Sequence, residues 1–282
     1  MNQEDVEPCG RIIYEAFKSI ADEHNFRPDF PSAEFATQLA QSFFTSPRVF
    51  RVVADSENGV NVGTKFLWEF VAIRAVGPIT VDPHRQAKGA GRKLMEAVIE
   101  RGKGAEGIRL VQDAFNRASL SLYASLGFDV KEPLVMIEGA VKGNLPPGTE
   151  VRPIREEDIE QCAALCRKTH GIERTNELTD TPPFLTSFVA VRDGRVTAYA
   201  SAPHFWAMNH AVAESDEDMH VLLRGAGNLG AGQPLSFLLP TRQTDLFRWC
   251  LKQGMRVVKP LTLMSMGRYE EPRGCYLPSV GY

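Results

Sequence analysis

The chain has 282 residues, 43% of them hydrophobic and 24% charged, with a formal net charge of −3. This length can bury one large core or two smaller ones, and the composition excludes a largely disordered chain. The slight acidic balance argues against a nucleic-acid binder, which carries a basic excess. No apolar run is long enough to cross a bilayer as a helix, which argues against a membrane protein.

The five cysteines (Cys9, Cys162, Cys166, Cys250 and Cys275) form no CxxC pair. Cys162 and Cys166 lie four apart in a helical stretch with no matching pair elsewhere, so buried thiols are expected in preference to a metal site. With no secretory leader pattern ahead of the first helix, the expectation is a reduced, cytoplasmic protein.

In chain order, residues 5–24 carry apolar side chains at helical spacing (Ile12, Ile13, Ala16, Phe17, Ile20),. A second helix is expected after Pro31, with Ser32 as its N-cap. Val49–Ala54 and Val62–Phe70 read as strands around the hairpin signal Asn58-Gly59. A third strand, Ala72–Val81, is interrupted at Gly77-Pro78, where a bulge or splay is expected because proline cannot donate to a ladder. A helix (about 89–102), a strand (Ile108–Gln112), a helix (about 116–126) and a strand (Phe128–Ile137) follow, giving an α/β fold with a mixed sheet and flanking helices.

Lys142–Gly148, containing Pro146-Pro147-Gly148, reads as a linker,. Beyond it the order of elements begins again. Strand 151–154 and helix 155–168 precede strands 188–192 and 195–201, which flank the turn Asp193-Gly194. Strand 205–213, helix 216–224, strand 234–239, helix 245–253 and strand 257–266 complete the series. Two tandem domains, 1–143 and 149–282, are expected. The tail 274–282 is apolar for a terminus, and such segments fray unless they dock.

The stretch 81–94 runs from a strand through a loop with two glycines into a helix. Free N–H groups at a helix start meet the positive end of the dipole and suit a pyrophosphate. Gly89 and Gly91 remove a Cβ from the approach. Walker and GxGxxG patterns are absent.

The run Gln86-x-x-Gly89-x-Gly91 resembles the coenzyme-A signature of the GNAT (GCN5-related) N-acetyltransferase superfamily. Asn116, Tyr123 and Gly127-Phe128, in register downstream, resemble that family's second landmark.

The resemblance implies that the N–H groups of Gln86, Ala87, Lys88, Gly89, Ala90, Gly91 and Arg92 cradle the acetyl-coenzyme-A pyrophosphate. It implies that Ile79 and Val81 pair with the pantetheine arm as an added strand would. By the same resemblance, Asn116 contacts that arm and Tyr123 is the general acid to the leaving thiolate. A base must accept the amine's proton. Glu69, Asp113 and a water chain are the candidates.

The second half lacks the signature. Carboxylates at 216–218 would repel a phosphate, and Gly225-x-Gly227 does not open a helix. It resembles a degenerate GNAT-like domain that serves the acceptor pocket or the structure. The expected activity is acetyl transfer to a primary amine of a small molecule, in a chain that is a monomer or homodimer. The alternative is a non-catalytic acyl-coenzyme-A sensor or partner-binding module.

Overall fold

Apolar residues three and four apart build the first two helices. α1 (Val6–Glu23) buries Val6, Cys9, Ile12 and Ile13, and α2 (Ala33–Thr45) buries Ala36, Ala40 and Phe43. Ser32 caps α2, its Oγ accepting from the Phe35 N–H at 3.2 Å. β1 (Val49–Asp55) and β2 (Asn61–Trp68) form an antiparallel hairpin, closed by Gly59 at φ +71°.

β3 (Ile73–Val81) continues the sheet antiparallel to β2. Its register jumps from Lys65↔Ile79 to Leu67↔Val76, so Gly77 and Pro78 together stand opposite Phe66. This is the bulge that a residue without an N–H requires. α3 (Ala90–Gly102), β4 (Gly107–Asp113), α4 (Arg117–Ser125) and β5 (Asp129–Gly139) follow.

The structure, a computed structural model, describes residues 1–69, 72–84, 89–174, 176–179 and 185–281. It divides into two units. The first holds residues 1–131 together with 263–268, the end of the long strand β11 (Arg256–Gly267). In this unit the strands run β1-β2-β3-β4, and the end of β11 lies beside β4. The Arg268 N–H donates to the Glu106 carbonyl at 2.8 Å, and Met264 is buried in one apolar cluster with Tyr123 and Phe128.

The second unit begins with β6 (Thr149–Pro153), α5 (Ile159–His170) and α6 (Asn176–Thr179), then β7 (Phe188–Arg192), β8 (Arg195–Ala200) and β9 (Ala211–Ala213). α7 (Asp216–Leu229), β10 (Leu235–Pro240), α8 (Thr244–Lys252) and β12 (Cys275–Leu277) complete the set. One sheet runs β12-β9-β8-β7-β6, with every neighbouring pair antiparallel. Asp193 and Gly194, at φ +51° and +76°, make the left-handed turn between β7 and β8,.

Two expectations about this half need correction, and the tail is found docked. The strand expected over 205–213 shrinks to Ala211–Ala213, because 202–209 close turns such as Phe205 N–H to Ala202 O at 2.9 Å. The helix expected over 216–224 extends to Leu229 and carries Gly225 and Gly227 inside it. These glycines are packing residues. A Cβ would lie 2.2 Å from Val151 Cβ at Gly225 and 1.8 Å from the Val141 carbonyl oxygen at Gly227. The tail, in turn, contains a buried strand, β12.

Candidate active site

The parallel ladder between β3 and β4 is short. Among the described residues it holds Ile73↔Gly107, Arg74↔Ile108 and Ala75↔Arg109, although β3 runs on to Val81 and β4 to Asp113. Past the bulge the two strands part. The β3 backbone from Val76 to Val81 therefore keeps an edge that β4 does not fill. Backbone N–H and C=O groups require partners, so such an edge is a template for an extended ligand.

Beside that edge stands the start of α3. Gly89 is its N-cap, at φ +92°, and a Cβ there would meet open space. Among the described residues no side chain caps this end, and its first turn holds no acid. The first internal helix bond is Lys93 N–H to Gly89 O at 3.1 Å, so the N–H groups of Ala90, Gly91 and Arg92 precede the ladder. A Cβ on Gly91 would sit 3.7 Å from Leu122, 3.8 Å from Val81 and 4.0 Å from Ile79. The helix start, the end of β3 and the face of α4 thus converge.

Gly91 is less constrained than expected, since those are ordinary contact distances; Gly89 is the residue whose backbone calls for glycine. Arg92 is exposed and donates to Ser125 Oγ at 2.7 Å. Gln86, Ala87 and Lys88 lie outside the described residues.

On the other flank, Asn116 is the N-cap of α4, its Oδ1 accepting from the Ser119 N–H at 3.1 Å. Tyr123 is buried among Val76, Met95, Leu110 and Phe128. Burial, and then the negative charge of Asp113, push its pKa upward. The phenol therefore keeps its proton at any working pH, the state a general acid needs. Asp113 ends β4, one helical turn before the Asn116 cap.

Glu69 is differently placed. It lies before the start of β3 and is held by Arg101 through two bonds of 2.9 and 3.0 Å, with Arg74 at 3.6 Å. Its carboxylate is committed to these partners and is not free to take a proton from an amine.

Two buried polar residues on the neighbouring strands escaped the sequence reading. Gln112 is buried with Ile108 and Leu110 on β4. Its Oε1 accepts from Ser119 Oγ at 2.7 Å, while its Nε2 has no partner among the described residues. The signal was present, because a glutamine occupies an inward position of an alternating strand. Lys65, also buried, donates from Nζ to the Gly77 carbonyl at 2.5 Å, and burial holds its pKa well below the ordinary range. The apolar surroundings of β2 hid it.

All five cysteines are buried and free. Burial pushes Cys162 and Cys250 up to about 12, which keeps both as inert thiols,. Among the described residues no group of His, Cys, Asp and Glu could hold a metal, and no helix is long and apolar enough to cross a membrane.

A family model, the acetyltransferase (GNAT) family, matches residues 14–128. This chain carries a GNAT acetyltransferase domain. That family catalyses acyl-coenzyme-A-dependent acetyl transfer, and the chain is of the N-acetyltransferase class.

Solved structures share the fold across the whole chain. A protein from Pyrococcus horikoshii assigned as an acetyltransferase is 17% identical with a TM-score of 0.73, covering 98% of this chain and 91% of its own. A GCN5-related N-acetyltransferase from Sphaerobacter thermophilus is 14% identical with a TM-score of 0.66, covering 96% and 95%. A tandem GNAT protein from the clavulanic acid biosynthesis pathway is 13% identical with a TM-score of 0.59, covering 95% and 97%. The curated proteins include no match to this sequence. The tandem GNAT-like arrangement is thus established at the level of fold.

Proposed function

We propose that the first unit acetylates a primary amine on a small molecule by direct transfer from acetyl-coenzyme A. The observation that carries this reading is the parting of β3 and β4 beyond Ala75 and Arg109, beside an uncapped α3 start and opposite Asn116 and Tyr123. The pantetheine arm runs along the free edge at Ile79 and Val81, with Asn116 and the Gln112 amide as side-chain donors. The pyrophosphate takes the N–H groups from Gly89 to Arg92, continuing into Gln86–Lys88. Gly89→Glu combined with Gly91→Glu abolishes cofactor binding if this placement holds.

The neutral amine attacks the thioester carbon, the C–S bond breaks, and Tyr123 gives its proton to the departing sulfur. Asp113 or a water leading to a backbone carbonyl takes the nitrogen's proton, and that proton restores Tyr123. The products are an amide and free coenzyme A. No acyl-enzyme forms, since no cysteine lies in either motif.

One observation favours the second reading, an acyl-coenzyme-A sensor: Tyr123 is buried in an apolar cluster, as a core tyrosine would be. Thiol release on a panel of polyamines, aminoglycosides, amino acids and peptides separates the two. Acetyl-coenzyme A raises the melting temperature in either case. Release above the amine-free background with at least one amine supports transfer, whereas tight binding without release on every amine supports the sensor.

A further inference from the structure

The second unit repeats the α4 segment in detail. Gln243 caps α8 at φ −77° and ψ 69°, as Asn116 caps α4 at −80° and 88°. Each cap N–H returns to the last residue of the preceding strand: Asn116 to Asp113 O at 2.9 Å, Gln243 to Pro240 O at 3.0 Å. Seven residues on, Cys250 stands where Tyr123 stands. Eleven on, Gly254 at φ +88° matches Gly127 at φ +96°. The bond Phe128 N–H to Tyr123 O at 3.1 Å recurs as Met255 N–H to Cys250 O at 3.2 Å. By this register the second unit has lost both the phenol and the carboxylate.

The edge of β9 corresponds to the free edge of β3, and it is occupied. β12 pairs with it antiparallel, Cys275↔Ala213, Tyr276↔Val212 and Leu277↔Ala211. In a strand the N–H and C=O of one residue point the same way. Tyr276 turns both toward Gln243, whose Oε1 accepts from the Tyr276 N–H at 3.2 Å and whose Nε2 donates to the Tyr276 carbonyl.

Two further anchors hold the tail. The Tyr276 hydroxyl donates to Glu132 and accepts from Arg242 at 3.2 Å. Ser279 Oγ accepts from Arg174 at 2.9 Å and donates to Glu177 at 3.0 Å. The phosphate end is closed as well. Eight residues, 82–89, separate β3 from α3, but only Glu214 and Ser215 separate β9 from α7. Ser215 caps α7 by accepting from the Asp218 N–H at 3.2 Å, and its first turn holds Asp216, Glu217 and Asp218.

We propose that the second unit has turned its pantetheine slot into a peptide-strand slot, read by β9 and the Gln243 amide and filled by this chain's own residues 275–277. The correspondence of the slots rests on the cofactor placement proposed for the first unit. Only the first unit then loads coenzyme A.

The test uses the full chain carrying Leu277→Asp, which keeps the tail attached but unable to dock. A fluorescent peptide of residues 272–281 is added in trans, and coenzyme A is titrated by calorimetry. The peptide is expected to bind this variant one to one and to leave the wild type unbound. Adding Gln243→Leu removes two hydrogen bonds and weakens peptide binding about ten-fold or more. The wild type takes up one coenzyme A per chain.

A folded Leu277→Asp variant that ignores the peptide overturns the proposal, as do two coenzyme A molecules per wild-type chain. If Leu277→Asp does not fold, hydrogen exchange on the single variant Gln243→Leu decides. Exchange at 275–277 quickens about ten-fold if the amide holds the strand, and unchanged exchange overturns the proposal. Gly89→Glu keeps the two readings apart, since it abolishes coenzyme-A uptake in the first unit and leaves peptide binding intact. A wild type that binds no coenzyme A at all refutes the proposed function without touching the peptide result.

Discussion

Tyr123 combines packing with the chemistry proposed for it in one side chain. Its ring fills an apolar cluster, and its hydroxyl is held protonated by burial and by Asp113. Tyr123→Phe keeps the ring, so thermal stability is expected to change by about 1 kcal/mol or less. Turnover is expected to fall about 10²- to 10⁴-fold, read as thiol release under saturating acetyl-coenzyme A. The sign of the pH effect follows from the upward shift. A phenol whose folded pKa lies above its unfolded value near 10 contributes its full stability below pH 10 and loses it as pH rises further,. Rate–pH profiles should therefore rise with amine deprotonation and show no alkaline fall from Tyr123 below about pH 10. Gln112→Leu removes the amide donor assigned above to the pantetheine arm. It is expected to raise the KM for acetyl-coenzyme A about five-fold with kcat nearly unchanged.

Elements differ in what their glycines do, and spacing alone does not reveal it. Gly91 in α3 and Gly225 in α7 both belong to a GxG pair. A Cβ on Gly91 would find ordinary contacts at 3.7–4.0 Å, whereas on Gly225 it would lie 2.2 Å from Val151 Cβ. Gly91→Ala is thus expected to leave the unfolding free energy measured in urea within about 1 kcal/mol of the wild type. Gly225→Ala is expected to lower stability by about 1–3 kcal/mol through overpacking.

Most elements of the first half were legible because their signals are local. These include the Ser32 cap, the helical periodicity of α1, and the proline that forces the bulge in β3. The short β9 and the extended α7 were not. Their limits depend on turns at 202–209 and on the faces of β6 and of the chain at Val141, all remote from the local pattern. The proposed site was legible to the same extent: Gly89, Asn116 and Tyr123 are picked out by their spacing. The unfilled Gln112 amide and the Arg101 grip on Glu69 depend on neighbours that only folding brings together.

At the scale of the molecule, the linker at 142–148 is not where the first unit ends, since the contiguous part of that unit stops at Lys131. That unit takes 263–268 from the far end of the chain, and Met264 from that segment is buried with Tyr123. Residues 1–143 expressed alone lack this strand, leaving the outer edge of β4 and an apolar cluster uncovered. The fragment is expected to melt well below the full chain or to aggregate, as checked by circular dichroism and sedimentation. A soluble fragment with the melting point of the full chain would contradict this role for 263–268.

By itself the sequence determined the α/β class, the tandem repeat of elements, and the spacing of the two motifs on which the proposed cofactor site is built. Those depend on local periodicity, caps and spacing, which neighbouring residues set among themselves. Tertiary structure alone decided where β3 and β4 part, which carboxylate stays near Tyr123, and which strand from the chain's end completes the first unit. It also decided that the tail is a strand of the second unit's sheet. Each of these is a pairing between residues distant in sequence. Such a pairing is selected by which backbone edges and buried side chains lack partners, and that is settled only once the sheet has formed.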